Sequence, residues 1–333
     1  MNLNAKIYVA GHQGLVGSAL VRQLKTLGYS NLLLRTRQQL DLTNQRSVQE
    51  FFAEERPEYV FLAAAKVGGI LANSTYPAEF LCHNLLIQTH VIHEAFQTDV
   101  KRLLFLGSSC IYPRHAPQPI KEEYLLTGPL EPTNRPYAVA KISGIEMCWS
   151  YNREYGTRFF AAMPTSLYGP GDRYDLQDSH VVPALIRKMH EAKVSAAEQV
   201  VLWGTGNPRR EFLHSDDAAN ACVFLMNLVD SRLNEIAGNG NLCPIVNIGC
   251  GEDLTIRELA EHVAGVVGFK KKIVFDPSKP DGTPRKLLDI NLLTALGWRP
   301  RTLLRDGLRN TYTDFLEHQA LAPEMRSISA IVA

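Results

Sequence analysis

The sequence predicts an α/β fold: a doubly wound parallel sheet with helices on both faces and a smaller α/β domain beside it. Three observations carry this reading. Short unbroken apolar runs recur along the first half, helix-length amphipathic stretches separate them, and a glycine-rich turn joins the first run to the first helix. Strands covered on both faces read as continuous apolar runs, whereas a half-exposed strand alternates apolar and polar residues.

The elements follow in order. KIYVAG (6–11) predicts a strand and SALVRQLKTLG (18–28) a helix stopped by Gly28. NLLLRT (31–36) is a second strand, SVQEFFAEER (47–56) a helix and YVFLAAA (59–65) a third strand. Residues 84–97 place apolar side chains on one face at helical spacing, and RLLFLGSS (102–109) returns to a strand. From about residue 166 the pattern loosens and Gly and Pro become frequent, as in YGPGDRY, WGTGNPRRE and KPDGTPRK. The helix DDAANACVFLMNL (216–228) and the strand PIVNIG (244–249) are regular enough to rejoin the sheet. The first domain is therefore expected over 1–165 with about 211–248, and the second over 166–210 with about 249–320. Residues 321–333 carry little pattern and are expected to be a disordered tail.

Composition narrows the function classes. The 333 residues are 45% hydrophobic and 21% charged, with a formal net charge of +1. No basic excess points to nucleic acid or to an anionic membrane surface. No run approaches the roughly 18 apolar residues of a membrane span, and the first apolar segment runs into a glycine loop rather than a cleavage site. Cys82, Cys110, Cys148, Cys222, Cys243 and Cys250 are scattered, without CxxC spacing. That fits reduced thiols in a cytoplasmic protein and argues against a disulfide framework or a metal site.

GHQGLVG places Gly11, Gly14 and Gly17 between a strand and a helix. Such glycines allow a tight turn and close approach of backbone to a dinucleotide pyrophosphate, which then rests on the helix N-terminus. At the end of the second strand an acid would hold a ribose 2′-hydroxyl, while Arg accepts a 2′-phosphate. Arg35 and Arg37 stand there, with no acid before Asp41. Two guanidiniums favour NADP over NAD.

Tyr137 and Lys141 form YAVAK, one helical turn apart. An ammonium beside a phenol is expected to lower its pKa and make it a usable acid or base at a carbonyl oxygen. A hydroxyl from Ser108 or Ser109 would complete a Ser-Tyr-Lys set. The stretch GSSCIYP also sets the thiol of Cys110 among those hydroxyls, where an ordinary strand end carries turn residues.

Together these stretches resemble the extended short-chain dehydrogenase/reductase superfamily, built on a Rossmann sheet. Within it the chain is similar to the nucleotide-sugar enzymes that epimerise and reduce GDP-4-keto-6-deoxy-D-mannose. The likeness spans about residues 5 to 318. It rests on GHQGLVGSA, LAAAKVGGI, FLGSSCIYP, EPTNRPYAVAK, SYNREYG, SHVVPALIRK, REFLHSDD, TIRELA and KPDGTPRKLLD. It implies an NADP(H)-dependent homodimer that inverts carbons 3 and 5 of the sugar and then reduces carbon 4. By this resemblance Ser108, Tyr137 and Lys141 carry the reduction, and Cys110 with His180 the epimerisations. Gly11, His12, Gln13, Gly14, Leu15, Val16 and Gly17 would wrap the cofactor. Arg37, Asp41 and Leu42 would meet its adenosine end. Leu106, Gly107, Ser108, Ser109 and Lys141, then Pro164, Thr165, Ser166, Leu167 and His180, would line the rest. Lys188, Trp203, Arg210 and Asp281 would hold the GDP-sugar, Arg210 suiting a diphosphate.

Two positions depart from that pattern. Gln13 stands where Arg is frequent, which leaves Arg37 more responsible for a 2′-phosphate, and Ser166 replaces a usual Asn. A 4,6-dehydratase would need acids where Ser109 and Cys110 stand, and a non-catalytic relative would lack Tyr137 or Lys141. Charge-assisted hydrogen bonds contribute about 1.5–3 kcal/mol, so kcat/KM for NADPH should exceed that for NADH about tenfold or more. Equal efficiencies would remove the guanidiniums from cofactor choice.

Overall fold

The computed structural model describes residues 1–175, 179–237, 244–279 and 281–329, with side chains described for all of these except 70, 71 and 318–329. The first half alternates strands and helices: β1 (Ile7–Ala10), α1 (Leu15–Thr26), β2 (Leu32–Leu33), α2 (Gln45–Glu55), β3 (Tyr59–Leu62), α3 (Ile70–Thr75), α4 (Pro77–Gln97), β4 (Arg102–Leu106), α5 (Arg135–Tyr155) and β5 (Phe159–Pro164). The second half holds β6 (Ser166–Tyr168), α6 (Val181–Val194), β7 (Gln199–Trp203), β8 (Arg209–His214), α7 (Ser215–Met226), α8 (Asp230–Ala237) and β9 (Ile245–Ile248). It ends with β10 (Asp253–Thr255), α9 (Ile256–Val267), β11 (Lys272–Asp276), β12 (Arg285–Lys286), α10 (Asn291–Ala295) and α11 (Leu304–Ser329).

Six strands form one sheet in the order β2-β1-β3-β4-β5-β9, every pair parallel. The doubly wound architecture follows from the covering of both faces. On one face Val91, Ile92 and Ile145 of α4 and α5 pack with Phe52 of α2 against Tyr8, Val60 and Leu103. On the other, Leu20 and Leu24 of α1 and Ala218 and Cys222 of α7 cover Ile7, Val9 and Leu104. PIVNIG does return to the sheet, as β9 beside β5.

Three elements differ from the sequence expectation. FFAAMP, β5, is a central strand whose apolar run was not singled out. Helix α4 starts seven residues early, at Pro77, a residue suited to a first helical turn because its missing N–H needs no partner there. The backbone of α11 stays helical to Ser329, across most of the stretch expected to be a disordered tail. Cys243 lies outside the described residues.

The smaller sheets come from the Gly- and Pro-rich half. Strand β8 pairs with β10, β12 and β6, and β7 pairs with β11. Leu185 and Met189 of α6, Leu259 and Val263 of α9 and Phe315 of α11 form their core. One buried carboxylate joins this layer to the large sheet. Glu211 on β8 is fully buried and accepts N–H bonds from Cys250 at 2.7 Å, Gly251 at 2.7 Å and Leu288 at 3.1 Å. Its own carbonyl accepts from the Thr165 hydroxyl at 3.1 Å.

Removing the carboxylate would leave the buried Leu288 N–H unpaired, at about 1–3 kcal/mol, and turn the part-buried Cys250 and Gly251 N–H groups to water. Glu211→Ala should therefore lose about 1–3 kcal/mol of stability in urea unfolding, with Glu211→Gln losing less. A midpoint unchanged by the alanine substitution would show the N–H groups finding other partners.

Candidate active site

The sheet order reverses direction at β1, with β2 on one side and β3 on the other, and in open α/β sheets ligands bind at such a switch point. The glycine loop sits there. Gly11 has φ 80°, and a Cβ on it would lie 2.7 Å from the Ala64 backbone after β3. A Cβ on Gly17 would run into the Gly11 carbonyl. Gly14 caps α1 without a side-chain hydrogen bond, and the first turn holds no acid. The leading N–H groups of α1 therefore face outward as donors for an anion. Among the described residues the buried Nδ1 of His12 has no hydrogen-bond partner, and burial keeps the ring below the usual imidazole range. These residues fit a dinucleotide pyrophosphate.

The two arginines after β2 divide. Arg35 is committed to Glu55 at 2.5 Å, to the Leu34 carbonyl and to the Phe51 ring, so it is not free for a 2′-phosphate. Arg37 is exposed and among the described residues has no ion-pair partner. Asp41 accepts from the Thr43 backbone and hydroxyl, and these bonds hold its carboxyl below the usual range.

The decisive cluster lies where β4 ends. Gly107 has no room for a Cβ against Met163, and Ser108 then caps a 3-10 turn over Ser109–Ile111 by accepting the Cys110 N–H at 3.3 Å. Helix α5 brings Tyr137 and Lys141 over this turn. Tyr137 hydrogen-bonds Ser108, completing the set with Ser108 rather than the buried Ser109. Lys141 is buried, donates to the Leu106 carbonyl at 2.7 Å and lies 4.5 Å from the Phe105 ring centre. Its ammonium is 5.9 Å from the Tyr137 ring.

The expected lowering of the phenol by Lys141 is not found. Burial first, and then the Cys110 sulfur, hold Tyr137 well above its ordinary value, with the Ser108 bond opposing them. The phenol therefore stays protonated at neutral pH, the form a proton donor requires. Burial pushes Lys141 itself down to about 7, so it exchanges a proton readily near neutrality.

The smaller sheet supplies the opposite wall. Arg210 on β8 donates to the Arg209 carbonyl at 2.8 Å and has no ion pair among the described residues. Trp203, 64% exposed at the end of β7, offers a flat face with the Lys188 and Lys279 ammoniums 5.8 and 5.7 Å from its ring centre. Asp281, expected to contact substrate, spends both carboxylate oxygens on Thr205, at 2.9 and 2.7 Å, and pins its loop to the turn after β7. His180 precedes α6 with part of the residue open to solvent, while burial on its protein side, and then Arg173, hold the imidazole below the usual range. Among the described residues no hydrogen bond joins it to Cys110. Ser166 and Leu167 lie on β6, paired with Phe212 and Leu213 of β8.

Comparison with known proteins matches this layout. Residues 7–249 fit the NAD dependent epimerase/dehydratase family. The chain is 58% identical over 315 residues to GDP-L-fucose synthase 1 of Arabidopsis thaliana, covering 95% of this chain and 94% of that protein. The chain belongs to the GDP-L-fucose synthase branch of this family. It is also 54% identical over 317 residues to the GDP-L-fucose synthase of Escherichia coli K12, covering 94% and 97%. The solved GDP-L-fucose synthetase of Naegleria fowleri bound to NADP superposes with a TM-score of 0.86 at 26% identity, over 96% of this chain and 95% of that one.

Sequence reasoning about this synthase-like site missed three residues. Asn134 donates to the Cys110 sulfur at 3.1 Å, Lys286 lies 3.8 Å from it, and Lys279 flanks Trp203. Their motifs, EPTNRP and KPDGTPRK, were visible in the sequence, but a direction in space was not.

Since Tyr137 is the protonated partner of Ser108, Tyr137→Phe should cut reduction by about 10²–10⁴. Binding of NADPH, followed by fluorescence, should persist because the ring remains. Half of wild-type turnover would rule the phenol out as donor.

Proposed function

We propose that the chain converts GDP-4-keto-6-deoxy-D-mannose to GDP-L-fucose, using NADP(H), by inverting carbons 3 and 5 and then reducing carbon 4. The observation that carries this reading is the Cys110 sulfur beside the Ser108–Tyr137 hydroxyl pair. Simple carbonyl reduction needs the hydroxyls and a hydride, which the bound cofactor supplies; it has no use for a thiol. Protons on the carbons flanking a ketone are acidic because the resulting charge moves onto the ketone oxygen.

Cys110 removes these protons, while Ser108 and Tyr137 donate hydrogen bonds to the oxygen that gains charge. His180 supplies the proton on the opposite face. During reduction the same oxygen takes the Tyr137 proton, and Lys141, near 7 and tied to the Leu106 carbonyl, exchanges it onward. Arg210 and Lys188 hold the diphosphate, and Trp203 offers its face to the base. The loop 11–17, Arg37 and the ends of β4 and β5 carry the cofactor.

We assign 1–165 with about 211–248 to cofactor binding, and 166–210 with about 249–320 to substrate. The pairing of β8 within the small sheet supports starting the returning cofactor segment at about 215 rather than 211. A homodimer through α4 and α5 is part of this reading, supported by the apolar residues Val139 and Tyr155 that α5 leaves 37% and 53% exposed. No helix among the described residues is long and apolar enough to cross a membrane, and we assign the enzyme to the cytoplasm.

The test uses heavy water with substrate and NADP. Wild type should place deuterium at carbons 3 and 5 by NMR, while Cys110→Ser and His180→Asn should be severely slowed, because a hydroxyl is a far poorer base than a thiol of ordinary pKa about 8.5. With NADPH added, whatever sugar the variants reduce should keep its original configuration at both carbons. Normal exchange in Cys110→Ser would leave the thiol a packing residue.

A further inference from the structure

We infer that Lys286 is the counter-ion that keeps the Cys110 sulfur as a thiolate, and so sets the rate of both proton abstractions through that sulfur. The inference rests on reading Cys110 as the base.

Among the described residues two donors, and no acceptor, reach the sulfur. The Lys286 ammonium lies 3.8 Å away and the Asn134 amide 3.1 Å away. In the parallel pairing of β12 with β8, Lys286 stands directly beside Arg210, so both project from one face of the sheet, and the charge of Cys110 is felt at Arg210. Lys286 has no carboxylate within ion-pair distance among the described residues. Glu131 lines the same pocket, but Arg114, Thr133 and Thr283 occupy its oxygens. Donors directed at sulfur favour the anion, whereas acceptors favour the S–H form.

Cys250 shows the opposite arrangement in the same molecule. Its sulfur donates to the Phe212 and Glu252 carbonyls, both at 3.4 Å, and burial raises it to about 11. Cys250 is built to stay protonated, whereas the Cys110 sulfur faces donors. In the step itself the sulfur lone pair takes the carbon-bound proton, forming S–H, and the C–H electrons pass to the ketone oxygen. Lys286 keeps all its protons, acting by charge alone; it is a positioning residue.

The experiment follows alkylation of Cys110 by iodoacetamide at pH 7 in the substrate-free full-length protein, read by mass spectrometry of the Cys110 peptide because Cys82 is also exposed. Removing an adjacent ammonium should slow alkylation about tenfold in Lys286→Met, with Lys286→Arg restoring most of it. Deuterium entry at saturating substrate should fall by a similar factor, while NADPH binding stays unchanged. If Lys286→Met fails to bind NADPH, Lys286→Gln serves for the same comparison. A lysine that only grips the substrate diphosphate would raise KM and leave alkylation of the free protein untouched, and that result overturns the inference. Failure of the underlying reading looks different: Cys110→Ser would then exchange normally whatever Lys286 does.

Discussion

The buried carboxylate of Glu211 is the constraint on which the site depends. It has lost its water, and among the described residues no cation compensates it. Burial accordingly raises its pKa, against the three N–H bonds that stabilise the charge. Those donors come from two separate chain segments, the turn after β9 and Leu288, two residues past the end of β12. This side chain thus ties the end of the large sheet to the small one, together with Asn247 on β9, which donates to the Asp289 carbonyl at 3.2 Å. Gly249 is glycine for the same reason, since a Cβ there would strike the carboxylate. Arg210 is the next residue on β8 and Lys286 is its partner on β12, so the cations facing Cys110 are placed by this bond set.

A second joint works at right angles to the first. Helix α5 is anchored by Lys141 to the Leu106 carbonyl and by the buried Gln88 amide on α4, which donates to the Ala140 carbonyl at 2.5 Å. The helix can approach the sheet because Gly144 leaves no Cβ against Phe105. These contacts hold Tyr137 over Ser108. Together the two joints close the hydroxyl pair from one side and the cations from the other, with the thiol between them.

The electrostatics of the pocket then have a consistent sense. Arg37, Arg210 and Lys286 carry no carboxylate partner among the described residues, while the cations away from the site, such as Arg35 and Arg209, are paired with Glu55 and Asp253. A cation partly removed from water, as Arg210 is, is costly unless an anion arrives. On the proposed function a diphosphate, a 2′-phosphate and a thiolate would supply that charge. The phenol, by contrast, is kept neutral, so acid and base sit side by side without neutralising each other.

The sequence by itself determined the parallel sheet, the glycine loop and the Tyr-Lys pair, because these depend on residues close along the chain. Apolar runs, helical spacing and the need for a missing Cβ at Gly11 and Gly17 all act within a few residues. It could not rank Arg35 against Arg37, since Glu55, which removes Arg35, is twenty residues away. The direction of the Tyr137 shift was beyond it for a related reason. Burial is set by everything packed around a group, and it outweighed the lysine one turn away. Nor could it join Lys286 to Cys110, separated by 176 residues and united only by the pairing of β12 with β8. Local backbone chemistry was legible in the chain; charge neighbours brought together by long-range strand pairing were decided by the tertiary structure alone.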